Sequence, residues 1–219
     1  MNRTITRPYD TSLIVGRFQG FHFGHEHLIN VALSVADRVV ILVGSSQEHN
    51  TAKNPFDVIT RQSLIKEIFP GPEVIVGHIP DLDLSDAKTV DAKWAHHVLD
   101  TAKQHIHKIP DVYIYGGEPK NLQWFRHSKE LIHLTKHMTE MIVAREKFNI
   151  SGTIMRELMF RDEFDQWMVK CNSKLHKHYP ELRAKYLAVP DLQNAIKEHL
   201  RVKNQGWADK PVLLTKGEK

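Results

Sequence analysis

The sequence predicts an α/β fold: a doubly wound, mainly parallel sheet with further helices at its C-terminal end. Three observations lead there. Short apolar runs recur at Leu13–Val15, Val39–Val43 and Val112–Tyr115, and their continuity marks strands buried on both faces. Segments of helical spacing separate them. Each run ends at a glycine (Gly16, Gly44 or Gly116), where strand gives way to loop. Strands alternating with helices imply right-handed crossovers, and ligands then gather beyond the carboxyl ends of the strands. The three glycines place three loops on one such edge.

Taken in order, the first helix follows Gly24-His25, with Leu28, Val31, Ala32 and Val35 on one face. Val39 to Gly44 is the second strand, and Ser45 to Pro55 a polar loop. Asp57 can cap a helix to about Ile68, stopped by Phe69-Pro70-Gly71-Pro72. Glu73 to Ile79 alternates around Val74 and Val76, as a strand does. Asp81 to Asp86 is a carboxylate-rich loop, before a helix bearing Val90, Trp94 and Val98. Asp111 to Gly116 is a fourth strand, Asn121 to Lys129 reads as helical, and His133 to Met138 as a fifth strand. From Gly152 onward the chain is helical and more polar. Phe164, Trp167 and Met168 have helical spacing, as do Leu192, Ala195, Ile196 and Leu200. The division expected is a sheet domain over 1–160 and a helical extension over 161–219 packed on it.

Composition narrows the function classes. The chain has 219 residues with 41% hydrophobic and 26% charged side chains, which suits a globular protein. Lys and Arg exceed Asp and Glu by 30 − 26 = 4. That excess fits an anionic substrate and is too dispersed to call for nucleic acid. Cys171 stands alone, so no intrachain disulfide forms and a reducing compartment is expected. No run approaches the roughly 20 apolar residues of a membrane span, and the first ten residues lack the apolar core of a secretory signal. A cytoplasmic protein is the expectation.

The most informative stretch is Gly16-Arg17-Phe18-Gln19-Gly20-Phe21-His22-Phe23-Gly24-His25, a strand–loop–helix start. Such a loop suits polyphosphate. Helix N-terminal N–H groups attract anions, Gly16 and Gly24 leave room for close approach, and Arg17, His22 and His25 can donate hydrogen bonds. A tight turn with incidental histidines is the plain alternative. A second stretch, Ile150-Ser151-Gly152-Thr153-Ile154-Met155-Arg156, places Ser151 as N-cap, Thr153 in the first turn and Arg156 one turn on. These groups make a second phosphate cradle, where the alternative is an ordinary capped helix.

The first stretch resembles the GRFQPxHxGH signature of the nicotinamide mononucleotide adenylyltransferases, within the HxGH nucleotidyltransferase superfamily. Gly16, Arg17, Phe18, Gln19, His22, Gly24 and His25 match, while Gly20 replaces the proline, which is expected to loosen the loop. The second stretch is similar to that family's ISxTxxR signature. Gly44-Ser45-Ser46-Gln47, Thr51, Asn54-Pro55-Phe56 and Arg61 resemble the GSxQ…T…NPF…R pattern of its archaeal-type members. Tyr115-Gly116-Gly117-Glu118-Pro119 looks like their YSGNP loop, with Gly117 and Glu118 departing from it. The resemblance covers roughly residues 12 to 160.

It implies a Rossmann-like sheet and transfer of the adenylyl group of ATP to nicotinamide mononucleotide. His22 and His25 would stabilise the pentacoordinate transition state, and Arg17 would bridge the reacting phosphates. Arg156, Ser151 and Thr153 would hold the β- and γ-phosphates, with Gly16, Phe18, Gln19 and Gly24 framing the loop. Lys53 is a candidate for the ATP phosphates, against a plain surface lysine. Trp94 matches a tryptophan that stacks on the nicotinamide ring, against a core role. Asp81 and Asp83 are candidates for ribose or carboxamide, against a solvated loop. Arg61 could equally be a helix-surface charge. Mg²⁺ would accompany ATP, held mainly by phosphate oxygens and water, and a homo-oligomer is implied. His96-His97, His105-x-His107 and His176-x-His178 lack zinc-site spacing and read as surface histidines, so no protein-held metal is expected. Other readings remain: an acceptor such as nicotinic acid mononucleotide, pantetheine phosphate or a flavin nucleotide, or a non-catalytic nucleotide-binding regulator touching nucleic acid through basic C-terminal helices.

Overall fold

The computed structural model describes residues 6–82, 90–117, 125–126, 128–144 and 150–193. Its strands are β1 (Tyr9–Gly16), β2 (Ala36–Val43), β3 (Val74–His78), β4 (Val112–Gly116) and β5 (Thr139–Val143). They form one sheet in the order β3-β2-β1-β4-β5, with every pair parallel. The helices are α1 (Phe23–Val35), α2 (Val58–Ile68), α3 (Val90–Ile106), α4 (Lys129–Leu134), α5 (Gly152–Arg161), α6 (Phe164–Met168) and α7 (Tyr179–Leu187). A 3-10 turn at Ser173–His178 precedes α7. The chain builds outward from β1 to β2 and β3, then returns to place β4 and β5 on the other side. That reversal opens a crevice between the carboxyl ends of β1 and β4.

The continuous apolar runs are explained by cover on both faces. Ile14, Val39, Ile41, Val43 and Ile114 pack beneath α1, α2 and α5 to α7. Leu13, Val40, Leu42, Tyr113 and Tyr115 pack beneath α3 and α4. Trp167, Cys171, Leu175, Tyr179, Leu182, Tyr186, Val189 and Leu192 belong to the first of these clusters, so the C-terminal helices share the core of the sheet. Ala195, Ile196 and Leu200 lie outside the described residues. Among the described residues, no helix is long and apolar enough to cross a membrane.

Local chemistry accounts for the boundaries. Asp57 caps α2 as expected, its carboxylate accepting from the Thr60 N–H at 2.7 Å. Helix α1 buries Leu28, Ile29 and Ala32 and leaves Val31 half-buried, so its inward face is rotated from the one expected. The fifth strand is also corrected. Residues 133–138 contain the end of α4 and a turn, and the strand follows at Thr139–Val143. Ser128 starts α4 by accepting from the Leu131 N–H at 3.1 Å, and the wholly buried Leu131 anchors it. The helix expected over 121–129 falls largely outside the described residues, and α4 begins at its far end.

Candidate active site

The loop after β1 is held by two unusual backbone positions. Phe18 has φ 52° and Gly20 φ 82°. A left-handed phenylalanine is costly by roughly 1–2 kcal/mol, and it persists because the side chain is fully packed, only 1% exposed. Proline could not adopt the Gly20 conformation, its ring fixing φ near −65°. A proline at this position would therefore require a different backbone path. Gly20 also sits close to α5, where a Cβ would lie 3.2 Å from that of Met155.

His22 is the N-cap of α1. Its Nδ1 accepts from the Gly24 N–H at 3.1 Å, so the proton of the neutral ring sits on Nε2. Gly24 supplies the room, since a Cβ there would come within 2.9 Å of His22 Cε1. His25 stacks on His22 with ring centroids 3.8 Å apart and is backed by Phe18 at 4.8 Å and Phe21 at 5.5 Å. The first amides of α1 are committed internally: Phe23 to Lys170 O, Gly24 to His22, and His25 and Glu26 to His22 O. Free N–H groups at this terminus were expected to meet phosphate. The structure instead spends these amides on the helix's own cap and on Lys170 O, and the His22 and His25 rings and Arg17 line the cleft beside them.

Helix α5 brings the second segment against this loop. Ser151 caps it, Oγ accepting from the Ile154 N–H at 3.3 Å. Arg156 donates from Nη1 to Gln19 O at 3.4 Å and from Nη2 to Thr153 Oγ1 at 3.3 Å. Burial lowers the pKa of its guanidinium, and the Arg17 charge also acts in that direction. The close approach depends on Gly152, where a Cβ would lie 2.5 Å from Gln19 O and 3.2 Å from Arg156 Nη1. Gly152→Ala is therefore expected to cost about 1–3 kcal/mol of stability by overpacking, read by urea unfolding.

Two further residues fix the loops from behind. Arg61, wholly buried on α2, donates to Arg17 O at 2.8 Å, Gly44 O at 2.7 Å, Ser45 O at 3.0 Å and Asp57 O at 3.2 Å. Burial lowers its pKa to about 10, so it stays charged at neutral pH. The Gln19 amide exchanges hydrogen bonds with the Phe56 backbone, Nε2 to O at 3.0 Å and N–H to Oε1 at 3.1 Å. Its side chain serves the loop, and its carbonyl meets Arg156.

The result is one cleft of about 320 Å³ at the β1–β4 crevice. Gly16, Arg17, Phe18, Gln19, His22, Gly24, His25, Ser151, Thr153 and Arg156 all line it, together with Tyr115 and Gly116 at the end of β4. The remaining candidates are elsewhere. Lys53 is exposed in its loop, and Asp81 is exposed, its N–H donating to Gln47 Oε1 at 3.0 Å. Trp94 is half-buried on the α3 side, its ring 5.8 Å from that of His97. Asp83 and Glu118-Pro119 lie outside the described residues. Sequence reasoning missed His27, which lines the cleft from α1, and the need for glycine at 152. Several histidines tie elements together: His97 contacts Pro80 O at 3.2 Å, His176 contacts Met168 O at 3.1 Å, and His178 contacts Glu67. Among the described residues, no group of three or more His, Cys, Asp or Glu could hold a metal ion.

Known proteins are similar to this chain. The model of the cytidylyltransferase-like family matches residues 13–158. A nicotinamide-nucleotide adenylyltransferase of Saccharolobus solfataricus is 27% identical over 172 residues, which are 78% of this chain and 90% of that protein. One from Methanolobus tindarius is 30% identical over 149 residues, 68% of this chain and 76% of its own. The crystal structure of a bifunctional NMN adenylyltransferase/ADP ribose pyrophosphatase from Francisella tularensis, complexed with AMP and a manganese ion, has a TM-score of 0.63 at 20% identity. That likeness covers 92% of this chain and 58% of the Francisella chain, so this chain spans little more than half of that protein's length. The chain belongs to the cytidylyltransferase-like family, in the group that holds the nicotinamide-nucleotide adenylyltransferases.

Proposed function

We propose that this protein transfers the adenylyl group of ATP to the 5′-phosphate of nicotinamide mononucleotide, giving NAD and pyrophosphate. One observation carries the reading: His22 and His25 on α1, and Arg156 on α5, converge on a single cleft at the strand-order reversal. Similarity to the adenylyltransferases above supports the choice of acceptor.

In this reaction an oxygen of the acceptor phosphate forms a bond to the α-phosphorus of ATP. The bond from that phosphorus to the bridging oxygen breaks, and the electron pair leaves with pyrophosphate. No protein nucleophile is consumed, so the protein's part is positioning and charge stabilisation. His22 Nε2–H and the stacked His25 ring donate to phosphate oxygens as charge builds. Arg17 spans the two reacting phosphates, and Arg156 with the Ser151–Thr153 turn holds the β- and γ-phosphates. The cleft's guanidinium, imidazole and hydroxyl donors suit anions. A divalent ion, Mg²⁺ in this reading, therefore comes as part of the substrate, carried on the triphosphate. Asp81, in the connection that follows β3, and Trp94, in the second turn of α3, are proposed for the acceptor. Lys53 is proposed to reach the triphosphate from its loop. A homo-oligomer working in the cytoplasm completes the proposal, and light scattering of the purified chain tests the assembly.

The deciding assay supplies ATP, Mg²⁺ and nicotinamide mononucleotide and follows NAD and pyrophosphate together. They are expected in equal amounts. The nicotinic acid nucleotide, run in parallel, gives the acceptor preference. ATP binding without turnover of either nucleotide would overturn the acceptor.

A further inference from the structure

We propose that Tyr186 is a positioning residue for Arg156, so that the C-terminal helices complete the triphosphate end of the cleft. This rests on the donor-site reading above and extends it to a part of the chain beyond the segment matched by the family model, which ends at residue 158.

The argument is one of register. Helices α5 and α7 pack against each other and are tied at successive turns. The Tyr179 hydroxyl donates to Asp162 Oδ1 at 3.2 Å, just past the end of α5. One turn along α7, Arg183 Nε donates to Met159 O at 2.9 Å and pairs with Asp162 at 3.0 Å. Moving forward on α7 thus moves backward on α5, as antiparallel neighbours require. The next step of that ladder sets Tyr186 beside Arg156, three residues beyond Arg183 and three before Met159. Tyr186 is 1% exposed and packed in the core cluster that holds Met155 and Met159. Its ring is locked in the core, and its hydroxyl interacts with the Arg156 guanidinium, whose other partners are Gln19 O and Thr153 Oγ1.

The consequence is physical. A long arginine side chain reaching into a cleft loses much rotamer freedom when it binds a ligand. Groups that hold it beforehand remove part of that cost. Gln19, in the loop after β1, and Thr153, in the first turn of α5, belong to the proposed phosphate-binding segments themselves. Tyr186 brings a third restraint from outside them, on a helix fixed in the core. Burial raises the Tyr186 pKa, so the hydroxyl remains neutral and available as an acceptor for Arg156 across the working pH range.

Calorimetry on the full chain tests this with two probes, Mg²⁺–ATP and AMP, neither of which depends on the acceptor. Tyr186→Phe keeps the ring and removes the oxygen. It is expected to weaken ATP binding about tenfold, the scale of one hydrogen bond to a charged group, and to leave AMP binding unchanged. In an Arg156→Ala background the same substitution is expected to add nothing. Arg183→Gln loosens α7 at its other tether without touching the hydroxyl, and its effect is expected to add independently to that of Arg156→Ala. The proposal is overturned if Tyr186→Phe leaves ATP binding intact, if ATP and AMP binding fall together, or if its effect multiplies with that of Arg156→Ala. It is equally overturned if Arg183→Gln shows the same coupling, which would assign the effect to helix packing. A chain that passes this test yet makes no NAD refutes the acceptor reading alone.

Discussion

His22→Ala is expected to lower turnover by about 10²–10³-fold, the usual effect of deleting one preorganised donor to developing charge. The structure also assigns His22 a second task, because its Nδ1 caps α1 by accepting from the Gly24 N–H. Alanine should therefore cost about 1 kcal/mol of stability as well. The two roles can be separated. Asparagine is among the best N-caps, so His22→Asn should restore stability measured by urea unfolding. Its short amide does not reach where Nε2–H sits, so turnover should stay low. Steady-state kcat on both variants reads the outcome. Full turnover in either would remove His22 from the chemistry and leave it as a cap.

How much of this could be read beforehand depended on where the controlling interactions lie. β1, β2 and β4 were legible because strands covered on both faces must be apolar throughout, and such runs are visible locally. Asp57 and Ser151 were legible because capping involves residues only three apart. The segment around 121–138 was not. A short helix capped by Ser128 and a strand fixed by pairing with β4 are decided by tertiary contacts, and a six-residue helix has little periodicity to show. The conformation of Gly20 was hidden as well. The sequence shows that proline is absent, and only the backbone shows that φ has become positive. Within the site, residue types and spacing picked out residues at the starts of α1 and α5 that line one cleft. They did not reveal that the first amides of α1 are already used, since the acceptor for Phe23 is Lys170, far away in the chain. The glycine at 152 left no sign either, because its reason is a carbonyl more than a hundred residues earlier.

Arg61 is where helix spacing alone was least informative, and it carries the largest expected effect on stability. Its guanidinium joins the loop after β1, through Arg17 O, to the loop after β2, through Gly44 O and Ser45 O. No carboxylate forms an ion pair with it among the described residues. The cost of burying the charge is offset by carbonyl dipoles and by the nearby charges of Asp57 and Asp81. Arg61→Ala would take the guanidinium donor from Arg17 O and Gly44 O, each at a cost of about 1–3 kcal/mol, while Ser45 O keeps the Glu48 N–H at 3.1 Å. A loss on the order of 4 kcal/mol is expected by urea unfolding, after relaxation and water entry recover part of the penalty. Turnover should fall too, since Arg17 O is anchored by this bond and Arg17 is proposed to span the reacting phosphates. Arg61→Lys discriminates between charge and geometry. An ammonium keeps the positive charge beneath the loop but has no planar fork to reach both loops at once. If the fork matters, lysine should recover less than half of the lost stability. If lysine restores both stability and turnover, the charge alone suffices, and Arg61 acts on the bound phosphates through its field instead of by holding the two loops together.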